Sequence, residues 1–114
     1  YGVYVAYSNN NNVSANIAAS NSWNIYLAYS NSNTVGNNKV SGGSLGIQVM
    51  HSQGNTVLNN TVSSSSYGIY LGYCGANTVR GNIVSLNDWG IELYTSKSST
   101  IRENTMKENT WACT

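Results

Sequence analysis

The chain has 114 residues and 12.3 kDa, with five Lys and Arg against four Asp and Glu for a net charge of +1. Charged residues are 8% of the total, against about a quarter in an ordinary soluble domain, and 19 Asn and 17 Ser take up the difference, beside 11 Gly and no Pro or Phe. The near-neutral balance excludes phosphate-driven nucleic-acid binding, 40% hydrophobic content excludes a disordered polyampholyte, and two cysteines are too few for a disulfide scaffold. No apolar run approaches the about 20 residues that cross a bilayer. The sequence opens on Tyr1 without initiator Met or signal peptide, so a processed chain or an excerpt of a longer one is expected.

A repeat of 22 residues governs the chain, with rungs opening at Tyr1, Trp23, Leu45, Tyr67, Trp89 and Trp111. The first stretch of each rung has Val3, Ile25, Ile47, Ile69 and Ile91 in column three and Val5, Leu27, Val49, Leu71 and Leu93 in column five. Column four between them is Tyr, Gln or Glu, the alternation of a strand with one buried face. The second stretch centres on Thr-Val in columns twelve and thirteen, and the third ends on Ala18, Val40, Val62, Val84 and Met106. Helical repeats are longer and show a 3.6-residue spacing that is missing here. The expectation is an all-β solenoid of five complete rungs and the start of a sixth, with three short strands per rung. Each strand would pair in parallel with its copies about 4.8 Å above and below. The absence of Pro suits strands that are nearly all central.

Column sixteen is Asn in every complete rung (Asn16, Asn38, Asn60, Asn82, Asn104). Stacked amides hydrogen-bond to one another and to bend backbone, so this column predicts a buried Asn ladder. Ser8, Ser30, Ser52, Cys74 and Ser96 form a small-residue column expected inside another corner, with Cys74 as an isosteric filler. Cys113 falls in the core Ile column, at least about 9.6 Å from Cys74 along the axis, so both thiols are expected reduced.

Gly68-Ile-Tyr-Leu followed by Asn77-Thr-Val, Asn82 and Val84-Ser85, and its copy one rung earlier, resemble the right-handed parallel β-helix repeats of NosD-like and CASH-type (carbohydrate-binding and sugar hydrolase) proteins. The resemblance covers the whole chain. It implies a secreted, periplasmic or cell-surface location and frequent contact with polysaccharide. It also implies an association with copper, for which the sequence offers only His51, in a column with Tyr7, Tyr29, Tyr73 and Thr95. That column reads as a stack of flat side chains, and no metal ligand or cofactor is assigned.

Sugar cleavage needs clustered carboxylates. Of nine charged residues, eight follow residue 79. Asp88 and Glu92 are the one conceivable pair, widely spaced, and solvated surface charge is the simpler reading, so no enzyme is expected. Arg80 and Arg102 share column fourteen and either splay, with help from Glu103, or share an anion such as sulfate or an acidic sugar. Columns two, four and six are expected on the outer face of the first sheet. There Tyr4, Tyr26 and Tyr70 would stand proud beside Gln48 and Glu92, as rings and hydrogen-bonding groups suited to a sugar chain; self-stacking of strand-favouring Tyr is the plainer alternative. The Thr column lacks the second parallel row that an ice-binding face wants. Asn12-Val-Ser and Asn59-Asn-Thr match the glycosylation acceptor pattern.

These readings converge on a single solenoid segment over residues 1–114, uncapped at both ends, non-catalytic and structural or adhesive, extracellular, cell-surface or periplasmic. It would be continued by further rungs or by axial self-association into a filament. The alternative is the polysaccharide-binding or accessory portion of a pectate-lyase-like carbohydrate-active enzyme. Neither nucleic acid nor membrane insertion is expected.

Overall fold

β-Branched residues broken by Asn, Ser and Gly favour short extended segments. The computed structural model describes residues 1–114 and has sixteen strands and no helix. The first rung comprises β1 (Val3–Ala6), β2 (Asn12–Ser14) and β3 (Ile17–Ala19). The second has β4 (Trp23–Ala28), β5 (Thr34–Gly36) and β6 (Lys39–Ser41), and the third β7 (Leu45–Met50), β8 (Thr56–Leu58) and β9 (Thr61–Ser63). The fourth has β10 (Tyr67–Gly72), β11 (Thr78–Arg80) and β12 (Ile83–Ser85), and the fifth β13 (Trp89–Tyr94), β14 (Thr100–Arg102) and β15 (Thr105–Lys107). A sixth opens with β16 (Trp111–Cys113).

Three parallel sheets run along the coil: β1-β4-β7-β10-β13-β16, β2-β5-β8-β11-β14 and β3-β6-β9-β12-β15. Val3 pairs with Ile25, Val13 with Val35 and Ala18 with Val40, a shift of one 22-residue rung in every sheet. The interior is a continuous column of apolar side chains, in which Ile25, Ile47 and Ile69 are fully buried, while Val3, Val5, Leu93, Ile101 and Met106 toward the two ends are partly open.

Four columns per rung turn the chain through the left-handed region. Column seven has φ of 51° at Tyr7 and Tyr29, 49° at His51, 53° at Tyr73 and 49° at Thr95. Columns ten, fifteen and twenty do the same, mostly with Asn, Ser, Ala, Leu or Glu in place of Gly. Such a conformation costs an L-residue about 1–2 kcal/mol, and the buried hydrogen bonds at the corners offset it.

Those bonds come from side chains of the neighbouring rung. The expected ladder forms: Asn38 N–H and Asn38 Nδ2 both donate to Asn60 Oδ1 at 2.9 Å, and Nδ2 also donates to Val13 O at 2.9 Å. Asn60 repeats the pattern onto Asn82, and Asn82 onto Asn104. Two further ladders lie at the other corners. Asn33 donates from N–H and Nδ2 to Asn55 Oδ1 at 2.8 and 3.2 Å, and the line runs on to Asn77 and ends on Ser99 Oγ. Ser65 N–H donates to Asn87 Oδ1 at 2.9 Å, and Asn87 to Asn109. This third ladder would break at Gly43, but Asn24 fills the gap. Its Oδ1 accepts from Asn21 N–H at 3.2 Å and its Nδ2 donates to Gly42 O.

The Ser column packs inside the remaining corner. Ser8 N–H donates to Ser30 Oγ at 3.1 Å and Ser30 N–H to Ser52 Oγ at 2.9 Å. Cys74 occupies its place in that line, buried and free, with Sγ donating to the Val49 and Gly72 carbonyls at 3.2 and 3.1 Å. Burial pushes its thiol pKa up. Cys113 is also free, and exposed.

Candidate functional site

In-register pairing sets each outward residue of the first sheet directly beside the residue in the same column one rung away, so side chains of one column meet along the axis. Tyr4 and Tyr26 stack at 5.2 Å and 14°, and Tyr1 covers the other side of Tyr4 at 4.8 Å and 15°. Trp23 meets Tyr26 edge-on at 5.3 Å, and Tyr67 meets Tyr70 in the same way at 5.6 Å. Further up the face, Trp89 stacks between Tyr67 and Trp111.

This packing corrects two expectations. Column two is not outward: Asn24 is fully buried, and a Cβ at Gly46 would strike Val62 Cγ1, because the chain bends before column three and aims this position into a corner. Nor do Tyr26 and Tyr70 stand proud. Both are half-buried, Gln48 between them is only 9% exposed, and Tyr4 alone of the tyrosines in that column is half exposed. Tyr4 and Tyr26 turn their ring faces toward each other along the axis, so a ligand lying on the sheet there would meet ring edges and hydroxyls rather than faces.

Tyr4, Tyr26, Gln48, Tyr70 and Glu92 do fall in one line, in register across β1, β4, β7, β10 and β13. Burial, then the nearby Tyr4 phenol, holds the Tyr26 phenol above its usual pKa; burial, then the Glu92 carboxylate, does so for Tyr70. Gln48 Oε1 and Glu92 Oε2 are buried without a hydrogen-bond partner. Buried acceptors are rarely left so, and these two flank Tyr70 one rung below and one rung above.

Arg80 and Arg102 are paired in register on β11 and β14. Arg102 Nη1 donates to Glu103 Oε1 at 2.8 Å, the one ion pair in the molecule. Asp88 is exposed at the bend before β13.

The column-seven rings form a second surface strip. Tyr7 stacks on Tyr29 at 5.1 Å and 3°, Tyr29 on His51 at 4.8 Å and 5°, and His51 on Tyr73 at 5.1 Å and 6°, before Tyr73 meets Tyr94 edge-on. A shallow depression of about 260 Å³ lies beside it, lined by His51, Ser52, Gln53, Tyr73 and Gly75. Sequence reasoning does not reach this depression, although the side chain missing at Gly75 in an otherwise polar column is its signal.

The family model described as periplasmic copper-binding protein (NosD) matches residues 1–114. No curated protein and no solved structure gives a significant match. Copper takes imidazole, thiolate and thioether ligands, which here would be His51, Cys74, Cys113, Met50 and Met106. They do not converge. No three His, Cys, Asp or Glu side chains group together, His51 is stacked between two phenols, and the Cys74 thiol is bonded to carbonyls inside a corner. The donor set of these rungs does not fit a copper site.

Proposed function

The chain belongs to the NosD family of periplasmic β-helix proteins, and on that footing we propose that it is a structural or adhesive β-solenoid working outside the cytoplasm. In this reading it has no catalysis of its own, and its rungs are continued axially by further rungs or by another copy. One observation carries the reading. The side chains common to successive rungs, the Asn and Ser ladders and the Val/Ile columns, are turned inward to hold the coil. The charged residues change from rung to rung. Conserving the scaffold while varying the surface suits a stiff presenting rod rather than a fixed reaction centre. Electron microscopy and sedimentation of the protein should show a rod of further rungs or a filament of axial copies. A compact monomer at micromolar concentration, built of these rungs alone, would overturn axial continuation. Release of new sugar ends from polysaccharide would overturn the non-catalytic reading.

The unpartnered Gln48 Oε1 and Glu92 Oε2 favour a second reading, the polysaccharide-binding or accessory portion of a pectate-lyase-like enzyme. Turned outward, the Gln48 amide and the Glu92 carboxylate on alternate rungs, about 9.6 Å apart, suit the hydroxyls of an extended sugar chain lying along the axis over Tyr70. A glycan array should then show binding that weakens when Tyr26 and Tyr70 are both replaced by Ala. Binding that survives the double replacement would place the sugar elsewhere.

A further inference from the structure

Two tyrosines that meet in a protein usually do so at an arbitrary angle. The solenoid removes that freedom for Tyr7 and Tyr29. Both have a φ of 51°, and both donate their N–H to the residue that ends the strand one rung on, Tyr7 to Ala28 O at 3.0 Å and Tyr29 to Met50 O at 3.1 Å. The second ring is therefore the first translated by one rung, which gives the 5.1 Å separation and 3° interplanar angle. Tyr7 is 78% and Tyr29 48% exposed, so a diffusible oxidant reaches both. Rotation of both exposed rings about Cβ–Cγ, with release of the Tyr29–His51 stack, turns them edge to edge and brings corresponding ortho carbons together. His51 covers the far face of Tyr29 at 4.8 Å, so Tyr29 has one phenolic neighbour in its column.

We propose that Tyr7 and Tyr29 form an oxidative cross-linking site, where an ortho–ortho carbon bond between the two phenols staples the first rung to the second. Each phenol gives up one electron and its hydroxyl proton to become a phenoxyl radical. The two radicals form one carbon–carbon bond, and the displaced ortho hydrogens return to the oxygens as the rings regain aromaticity. Two electrons and two protons leave in all. A peroxide acting through a one-electron peroxidase accepts both and is reduced to two waters. Tyr4 and Tyr26 are also stacked in register, but Tyr26 is half-buried against Trp23, which offers the oxidising equivalent another resting place. Burial also holds the Tyr26 phenol protonated to higher pH, so Tyr4 and Tyr26 are the poorer pair; Tyr1 and Tyr4 stack at 4.8 Å, and the joined peptides tell their product from that of Tyr7 and Tyr29.

Treating the protein with hydrogen peroxide and a haem peroxidase, then separating monomer from larger species, tests the assignment. Dityrosine fluorescence is expected in the monomer fraction, in a yield independent of protein concentration, with chymotryptic peptides around residues 7 and 29 covalently joined. The signal should be lost in Tyr7→Phe and in Tyr29→Phe, which keep the rings and the thermal unfolding of the untreated protein, and retained in Tyr94→Phe. Prior unfolding in guanidinium should abolish it at the same dose. Dityrosine confined to larger species, a main product joining a different pair, or none at a dose that dimerises free tyrosine would overturn the proposal.

Discussion

Asn60 and Asn31 carry the same amide and both sit in a line of amides, yet they do different work. Asn60 is fully buried; it accepts from Asn38 N–H and Nδ2 at 2.9 Å and donates to Val35 O at 2.9 Å and Asn82 Oδ1 at 3.0 Å. Asn31 belongs to a surface line, expected from sequence to lie outside any ladder: it donates from N–H to Asn9 Oδ1 at 2.7 Å, and its own Oδ1 accepts from Gln53 N–H at 2.8 Å. Asn60→Leu strands a buried N–H and a buried carbonyl at about 1–3 kcal/mol each, so a loss of several kcal/mol is expected. Water replaces the bond at Gln53, and Asn31→Leu should stay within about 0.5 kcal/mol. Urea titrations of the two variants check this, and equal midpoints would remove Asn60 from its structural role.

At the scale of the strand, β4 and β10 show why the outer face of the first sheet is neither free nor fully covered. Parallel in-register pairing places like above like, so Tyr26 rests on Tyr4, and Tyr70 lies between Gln48 and Glu92. The rings shield one another from water, which disfavours the phenolate and raises the pKa of Tyr26 and Tyr70. The unfolded chain deprotonates first, near pH 10. Stability from these two phenols is therefore complete below that pH and falls as pH rises toward the folded values. A thermal melting temperature that declines above about pH 10, and declines less in the Tyr26→Phe/Tyr70→Phe double variant, is the expected result.

Across the whole molecule each rung touches only its neighbours, so stability is a sum of rung and interface contributions. Ile47 is fully buried inside β7, whereas Ile83 on the outer side of β12 is 44% exposed. Ile47→Ala leaves a cavity roofed and floored by intact rungs that cannot close over it, and about 2–5 kcal/mol is expected to be lost. Ile83→Ala removes a side chain that already faces water and should cost clearly less. Equal losses for the two Ala variants would mean that Ile47 is not held in a packed interior between intact rungs.

The sequence by itself determined the period, the three strands of each rung, the inward columns and the ladder through Asn60, because parallel pairing turns identity at one spacing into contact. The line through Asn33, Asn55 and Asn77 is legible on the same ground. Other features only the tertiary structure decided, and each depends on a direction or on the space left by a neighbouring rung. Asn24 looks like an exception in a Gly column until its amide is seen replacing the one missing at Gly43, where a Cβ would come within 1.9 Å of Asn21 O. Column two faces a corner because the chain bends there. Tyr7, Tyr29 and His51 are turned outward by left-handed φ values that no Gly announces. Alternation tells which side of a straight strand a residue takes, but at a bend the backbone dihedral sets the side-chain direction, and residue type alone does not fix that dihedral.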